Sequence, residues 1–357
     1  MKRLLFALAI VLVAAGVPAS SHAGAGAMAL LDRYARGEFD AVTQAMTPIA
    51  DFDPIYKELK ANAPKWIDAG GPAERDHRRL AAATFAMEAA HIGAIRDWKE
   101  VRMFMRLENI YWKAPSELLE WGCKLMRDAP APTPAEHAWQ MAALSVVGRA
   151  QDYEFLIGSP WEGRANKGDE ILHLQHAIAR FPKDRRLLLA QGIAAELRLY
   201  PRARNSGFKE AEQIFGDLKD DGEVGAEAMM RLGALNLRAG QIAQSLPYLT
   251  SAADTSRDAF VTYLANLFMG QAYDRLKDPA NAESAYRRAL AVVPRAQSAT
   301  FSLVPILAAR GERAEAASLV SAATATPVAP DPWRSYGDGD HRFWPERIAA
   351  LRREIHQ

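Results

Sequence analysis

The chain has 357 residues, 49% of them hydrophobic and 24% charged, a globular composition that excludes wholesale disorder and collagen-like structure. With 44 Lys and Arg against 43 Asp and Glu it lacks the basic excess of a nucleic-acid binder, and no nucleic-acid partner is expected. One cysteine, Cys123, leaves no internal disulfide framework and no thiolate metal cluster.

Residues 1–23 read as a signal peptide. Lys2 and Arg3 give a positive start, and Leu4 to Val17 is an uncharged apolar run of 14 residues. As a helix that run is about 21 Å long, short for a bilayer core of about 30 Å. Pro18 breaks it, and Ser21-His22-Ala23 places small residues at −3 and −1 of a cleavage site. Cleavage leaves 42 basic against 43 acidic residues and no later apolar stretch of spanning length. The expected location is therefore exported, periplasmic or extracellular, with no integral membrane segment after cleavage.

Onward from residue 24 the sequence reads as all-α, rich in Ala, Leu, Arg and Glu and poor in β-branched runs. Pro/Gly punctuation at Gly70-Gly71-Pro72, Ala114-Pro115, Ala129-Pro130-Ala131-Pro132 and Phe181-Pro182 separates helical segments. Ser116 is expected to cap a helix containing Cys123, whose thiol should face a buried side. Thr133-Pro134-Ala135-Glu136 predicts another start, with Thr133 as N-cap and Glu136 completing a capping box. The run Trp98, Met103, Phe104, Met105, Tyr111 and Trp112 has helical spacing and reads as core.

An internal period then appears. Counting Gly270 as position 8 of a 34-residue unit puts Tyr273 at 11, Ala282 at 20, Tyr286 at 24, Ala289 at 27 and Pro294 at 32. Small residues at 8, 20 and 27 let two antiparallel helices approach, and the larger ones fill the space between them. This pattern resembles the tetratricopeptide repeat (TPR). Leu232-Gly233, Gly240, Ser245, Leu249 and Ala252 form a preceding unit, and Val304, Gly311, Ala316, Val320 and Ala323 a following one. Gly192, Ala195, Ala211, Phe215 and Leu218 fit a further unit, with about seven extra residues around Tyr200 to Gly207. Leu174, Ala177 and Pro182 resemble another second helix, and Tyr34 to Val42 another turn. The expected organisation is a degenerate TPR-like region over 24–182, an array over 183–326 and an aromatic-rich cap over 327–357. In that cap Ile348, Leu351 and Ile355 share one face of a final helix.

The resemblance implies an α-solenoid that binds a protein or peptide in a concave groove lined by first helices. Its groove positions fall on Leu189, Met230, Leu267 and Phe301, an apolar stripe, with Gln271, Arg238 and Arg275 adding polar contacts. The Lys and Asn pattern that clamps a C-terminal carboxylate is absent. The stripe suits an apolar or amphipathic peptide, or one of the chain's own terminal segments packed inward.

Catalytic signatures are scarce, and no catalytic residue, metal or cofactor is assigned. Glu88 with His91 and Glu170 with His173 are Glu-x-x-His pairs, half of a dimetal site, and read more simply as polar helix faces. His173 and His176 lack a third zinc ligand. Asp338-Gly339-Asp340 reads as a turn, and Arg202, Arg204 and Lys209 as a solvated turn. The alternative to a scaffold is an α/α-toroid-like envelope hydrolase, which would need two carboxylates at catalytic separation.

Overall fold

The computed structural model describes residues 26–49, 51–101, 113–127, 132–156, 167–197, 206–337 and 342–356. Among these the regular structure is entirely helical. The helices are α1 (Ala27–Ala35), α2 (Phe39–Met46), α3 (Asp53–Asp68), α4 (Pro72–Val101), α5 (Lys113–Arg127), α6 (Pro134–Leu156), α7 (Lys167–Arg180) and α8 (Arg185–Leu197). They continue with α9 (Ser206–Leu218), α10 (Gly225–Arg238), α11 (Ile242–Thr255), α12 (Ala259–Arg275), α13 (Pro279–Val292), α14 (Gln297–Ala309), α15 (Arg313–Thr324) and α16 (Trp344–His356). A 3-10 turn at Pro332–Ser335 precedes α16. No helix among the described residues is long and apolar enough to cross a membrane. The segment 1–23, the side chains of Trp98 to Trp112 and of Glu170 and His173, Arg202 and Arg204, and Asp338 to Asp340 lie outside the described residues.

Helices α1 to α6 pack around the long α4, and from α6 to α15 each helix packs on the next. Helix α10 also touches α12, and α12 touches α14. The small residues set these approaches. Ala211, Ser245, Ala282, Ala252, Ala289 and Ala323 are buried between helices. A Cβ on Gly270 would overlap the Tyr286 ring, and one on Gly233 would lie 2.5 Å from the Leu249 side chain. These positions thus admit the neighbouring helix only because they lack a side chain.

The turns repeat as well. Gly37, Gly240 and Gly311 hold φ of +88°, +81° and +85° between paired helices, and Lys277 takes the equivalent place at +61°. In each, the next amide reaches back to a carbonyl five residues earlier: Glu38 to Arg33, Gln241 to Asn236, Asp278 to Tyr273 and Glu312 to Leu307. That bond and the left-handed residue make a Schellman motif, which ends one helix and reverses the chain.

Two local expectations change. Helix α5 begins at Lys113, so Ser116 lies inside its first turn rather than before it. At α6, Thr133 Oγ1 accepts from the Glu136 amide at 3.0 Å as expected. The Glu136 carboxylate, however, is buried and held by Arg180 of α7 through Nε and Nη2 at 2.8 and 2.6 Å. A nearby guanidinium displaces the capping-box contact because a buried carboxylate requires a charged partner. Cys123 is buried, and burial pushes its thiol pKa up.

The largest departure is at the C-terminal end. Trp344, Ile348, Leu351 and Ile355 form the buried stripe of α16, but that stripe packs on α4 and α6. It joins the core formed by Leu31, Tyr34, Phe85, Met87 and Trp139, not the end of α15. The expected cap over the last helix pair is therefore replaced by a segment that returns to the N-terminal helices. Arg352 accounts for part of this choice. It donates to Glu88 from Nε and Nη2 at 2.9 and 2.6 Å, and to Thr43 Oγ1 at 2.9 Å. Glu88 also accepts from the Tyr34 hydroxyl, so it is a buried anchor rather than a polar outer face. His91 stacks on Trp344 with ring centroids 4.3 Å apart.

Candidate functional site

Between α15 and α16, residues 331–337 and 342–343 lie against the face presented by α14, α12, α10 and α8. Asp331 begins the crossing. Its carboxylate accepts from the Ser298 amide of α14 at 2.6 Å and the Tyr263 hydroxyl of α12 at 3.1 Å. It also caps the 3-10 turn through the Trp333 amide at 3.1 Å. Arg334 donates to Gln297 Oε1 at 2.6 Å. Phe268 of α12 meets Trp333 and Tyr336 edge-on at 5.6 and 5.5 Å, and those two rings stack on each other. Arg295, itself at φ +67°, holds the start of the segment by donating to the carbonyls of Ala322, Ala325 and Pro327.

Beyond Phe268 the face becomes a buried ionic cluster. Arg231 of α10 is fully buried and donates from Nη1 to Glu196 of α8 at 2.9 Å. Its Nε and Nη2 reach Glu227, one helical turn away, at 3.2 and 3.1 Å. The Tyr336 ring covers this guanidinium at 4.8 Å, while its hydroxyl donates to Glu196. Arg238 donates to the same carboxylate. Arg342 completes the arrangement from the other side, donating to Glu227 at 2.6 Å and Asp258 at 3.3 Å. Phe343 then lies beneath the guanidinium groups of Arg342, Arg186 and Arg347 at 4.4, 4.8 and 5.3 Å.

The electrostatics follow from burial and pairing. Burial alone would raise the Glu227 pKa, but Arg342 and then Arg231 outweigh it and hold the carboxyl at about 2. The Tyr336 hydroxyl is pushed up, by burial first and by Glu196 second. Glu227 is thus held ionised and Tyr336 protonated at neutral pH. Chemically, such a site can hold a cation and an aromatic ring in fixed positions. Among its described groups, the carboxylates of Glu196 and Glu227 are bridged by Arg231.

The residues chosen from sequence divide clearly. Leu189, Met230 and Leu267 are fully buried in the helix cores and present no accessible face. Phe301 is 46% exposed. Gln271 is half-buried. Arg275 is spent on a structural bond, donating to the Leu237 carbonyl of α10 at 2.6 Å. Arg238 alone joins the ionic cluster. Sequence reasoning missed Glu196, Glu227, Arg231, Asp331, Tyr336 and Arg342. A signal existed for two of them: Glu196 follows Ile193-Ala194-Ala195, and Arg231 follows Ala228-Met229-Met230. A lone charge in an apolar helical run is either misplaced or paired in the core. No protein-family model matches the chain, and no curated protein does.

Proposed function

We propose that the chain is an exported α-solenoid of TPR-like helix pairs that binds a protein or peptide partner and performs no catalysis of its own. The observation that carries this reading is recurrence. Helix pairs α10–α11, α12–α13 and α14–α15 share a left-handed turn residue, spaced 37 and 34 residues apart, and buried small residues at matching positions. Repetition of one supersecondary unit is how an extended recognition surface is built, because each pair adds the same face to the next. The first-helix face also carries residues 331–337 of the chain itself, as a peptide-binding groove would carry a ligand. The N-terminal charge, apolar run and small-residue cleavage site support export to a periplasmic or extracellular location. The hydrolase alternative gains nothing from Glu196 and Glu227, which are buried and neutralised by arginine.

Two measurements test the proposal. A photo-crosslinking residue at Phe301, on the exposed part of the first-helix face, should give a discrete adduct in producing cells. The same residue at Ser318, exposed on α15, should not. Equal adducts at both, or none at Phe301, refute the groove. For export, the N-terminus of the purified protein should begin at Gly24; an intact Met1 end would refute it.

A further inference from the structure

We infer that the edge formed by the ends of α13 and α15 and the residues that follow α15 is a shallow docking surface for an anionic lipid bilayer. Val328 and Trp333 enter the bilayer surface, and Arg295 and Arg334 steer it. The inference goes beyond the binding of a partner by the helix faces and does not depend on it.

Three observations carry it. First, the edge is apolar and stands outward. Arg295 donates to the carbonyls of Ala322, Ala325 and Pro327 at 2.8, 2.8 and 2.9 Å, which sets the chain after α13 beside the chain after α15. Ala291, Pro294, Pro327, Val328 and Pro330 are exposed there, and no charged residue occurs from Ala316 to Pro330. Val328 and Trp333 are 49% and 44% exposed. The Trp333 ring is held in place by stacking on Tyr336 and by the edge of Phe268. An indole, with an apolar body and one N–H, suits the boundary between headgroups and acyl chains.

Second, the two cations of this edge have no acidic partner among the described residues. Arg295 bonds to carbonyls, and Arg334 donates to Gln297 Oε1 at 2.6 Å. The carboxylate nearest them in sequence, Asp331, is buried and spent on the Tyr263 hydroxyl and the Ser298 and Trp333 amides. The corresponding junction between α11 and α12 carries Asp254, Arg257 and Asp258, so the uncharged edge is confined to the last two helix pairs.

Third, the chemistry favours a lipid surface over a polypeptide. The carbonyls of Ala322, Ala325 and Pro327 are already taken by Arg295, and Pro327 and Pro330 have no N–H, so little is left for a bound backbone. A second copy of this chain would set arginine against arginine across a two-fold contact. An anionic bilayer asks only for apolar side chains at headgroup depth and positive charge beside them.

The test is sedimentation of the processed chain, beginning at Gly24, with vesicles of phosphatidylcholine alone or of equal parts phosphatidylcholine and phosphatidylglycerol. Starting at Gly24 removes the apolar run of residues 4–17 as a source of binding. The chain should sediment with the anionic vesicles, and raising the salt from about 0.1 to about 1 M should release it. Arg334→Glu changes the charge by two and should weaken binding about ten- to thirtyfold, at roughly fivefold per charge. Val328→Asp should weaken it at least as much, because it puts a carboxylate among the headgroups. Leu276→Asp, at a similarly exposed residue in the turn between α12 and α13, should bind as wild type does. Should one edge variant lose its helical circular dichroism, the other carries the comparison. Equal binding to both kinds of vesicle, binding to neither, or binding that survives the edge substitutions overturns the inference. A protein adduct from a photo-crosslinking residue at Val328, without vesicle binding, overturns it as well. None of these outcomes alters the test of the scaffold reading at Phe301.

Discussion

Lys277 occupies a backbone position that three other turns give to glycine. A left-handed conformation costs a residue with a Cβ about 1–2 kcal/mol, partly offset because glycine is freer when unfolded. Lys277→Gly should therefore stabilise the protein by roughly 0.5–1 kcal/mol, and Gly240→Ala should destabilise it by about as much, both read from urea midpoints. Gly270 has the opposite constraint, since its lack of a side chain makes room for Tyr286. Gly270→Val should cost about 1–3 kcal/mol by overpacking, measured the same way. Glu227 makes a prediction in pH. Its folded pKa of about 2 lies below the ordinary 4.5, so the carboxylate's contribution to stability is complete above about pH 4.5. It is lost as the pH falls toward 2. The stability gap between wild type and Glu227→Gln should be constant from pH 7 to 5 and narrow below that.

At the scale of the element, α16 joins a distant core by one apolar stripe and the ion pairs of Arg352 with Glu88 and Asp40. Leu351→Ala should cost roughly 2–4 kcal/mol, as deletion of a buried leucine side chain does. Arg352→Ala should be far more damaging than Arg353→Ala, because only the first leaves a buried carboxylate, Glu88, without its guanidinium. Thermal melts of the two variants make that comparison. The helix pairs were legible in the sequence because Gly270, Ala282 and Ala289 report close approach at a fixed period, and Gly240 and Gly311 report the reversals. The placement of residues 331–337 and of 342 and 343 was not legible. Asp331, Tyr336 and Arg342 have no period of their own, and their seats are assembled from α8, α10, α12 and α14. For the same reason the apolar stripe of Leu189, Met230 and Leu267 reported burial correctly, while its partner, helix core or ligand, depended on packing that spacing does not encode.

At the scale of the whole molecule, the return of α16 couples the two ends of the chain. Glu88→Ala should loosen α1 to α4 and α16 together, while α12 and α13 keep their protection; amide hydrogen exchange reads this directly. Loss of protection spread evenly over all of them would deny the coupling. The same return has a kinetic side. Bonds between neighbouring helix pairs span a few tens of residues, such as Arg275 to the Leu237 carbonyl across 38. Arg352 to Glu88 spans 264, and His77 to the Ile355 carbonyl spans 278. A ribosome releases α4 long before it releases α16. Through that interval Glu88 and His91 border an unfilled apolar notch, open to any hydrophobic stretch that passes. The helices made first are thus the last to be completed, and the interval before closure is when this chain most needs a chaperone.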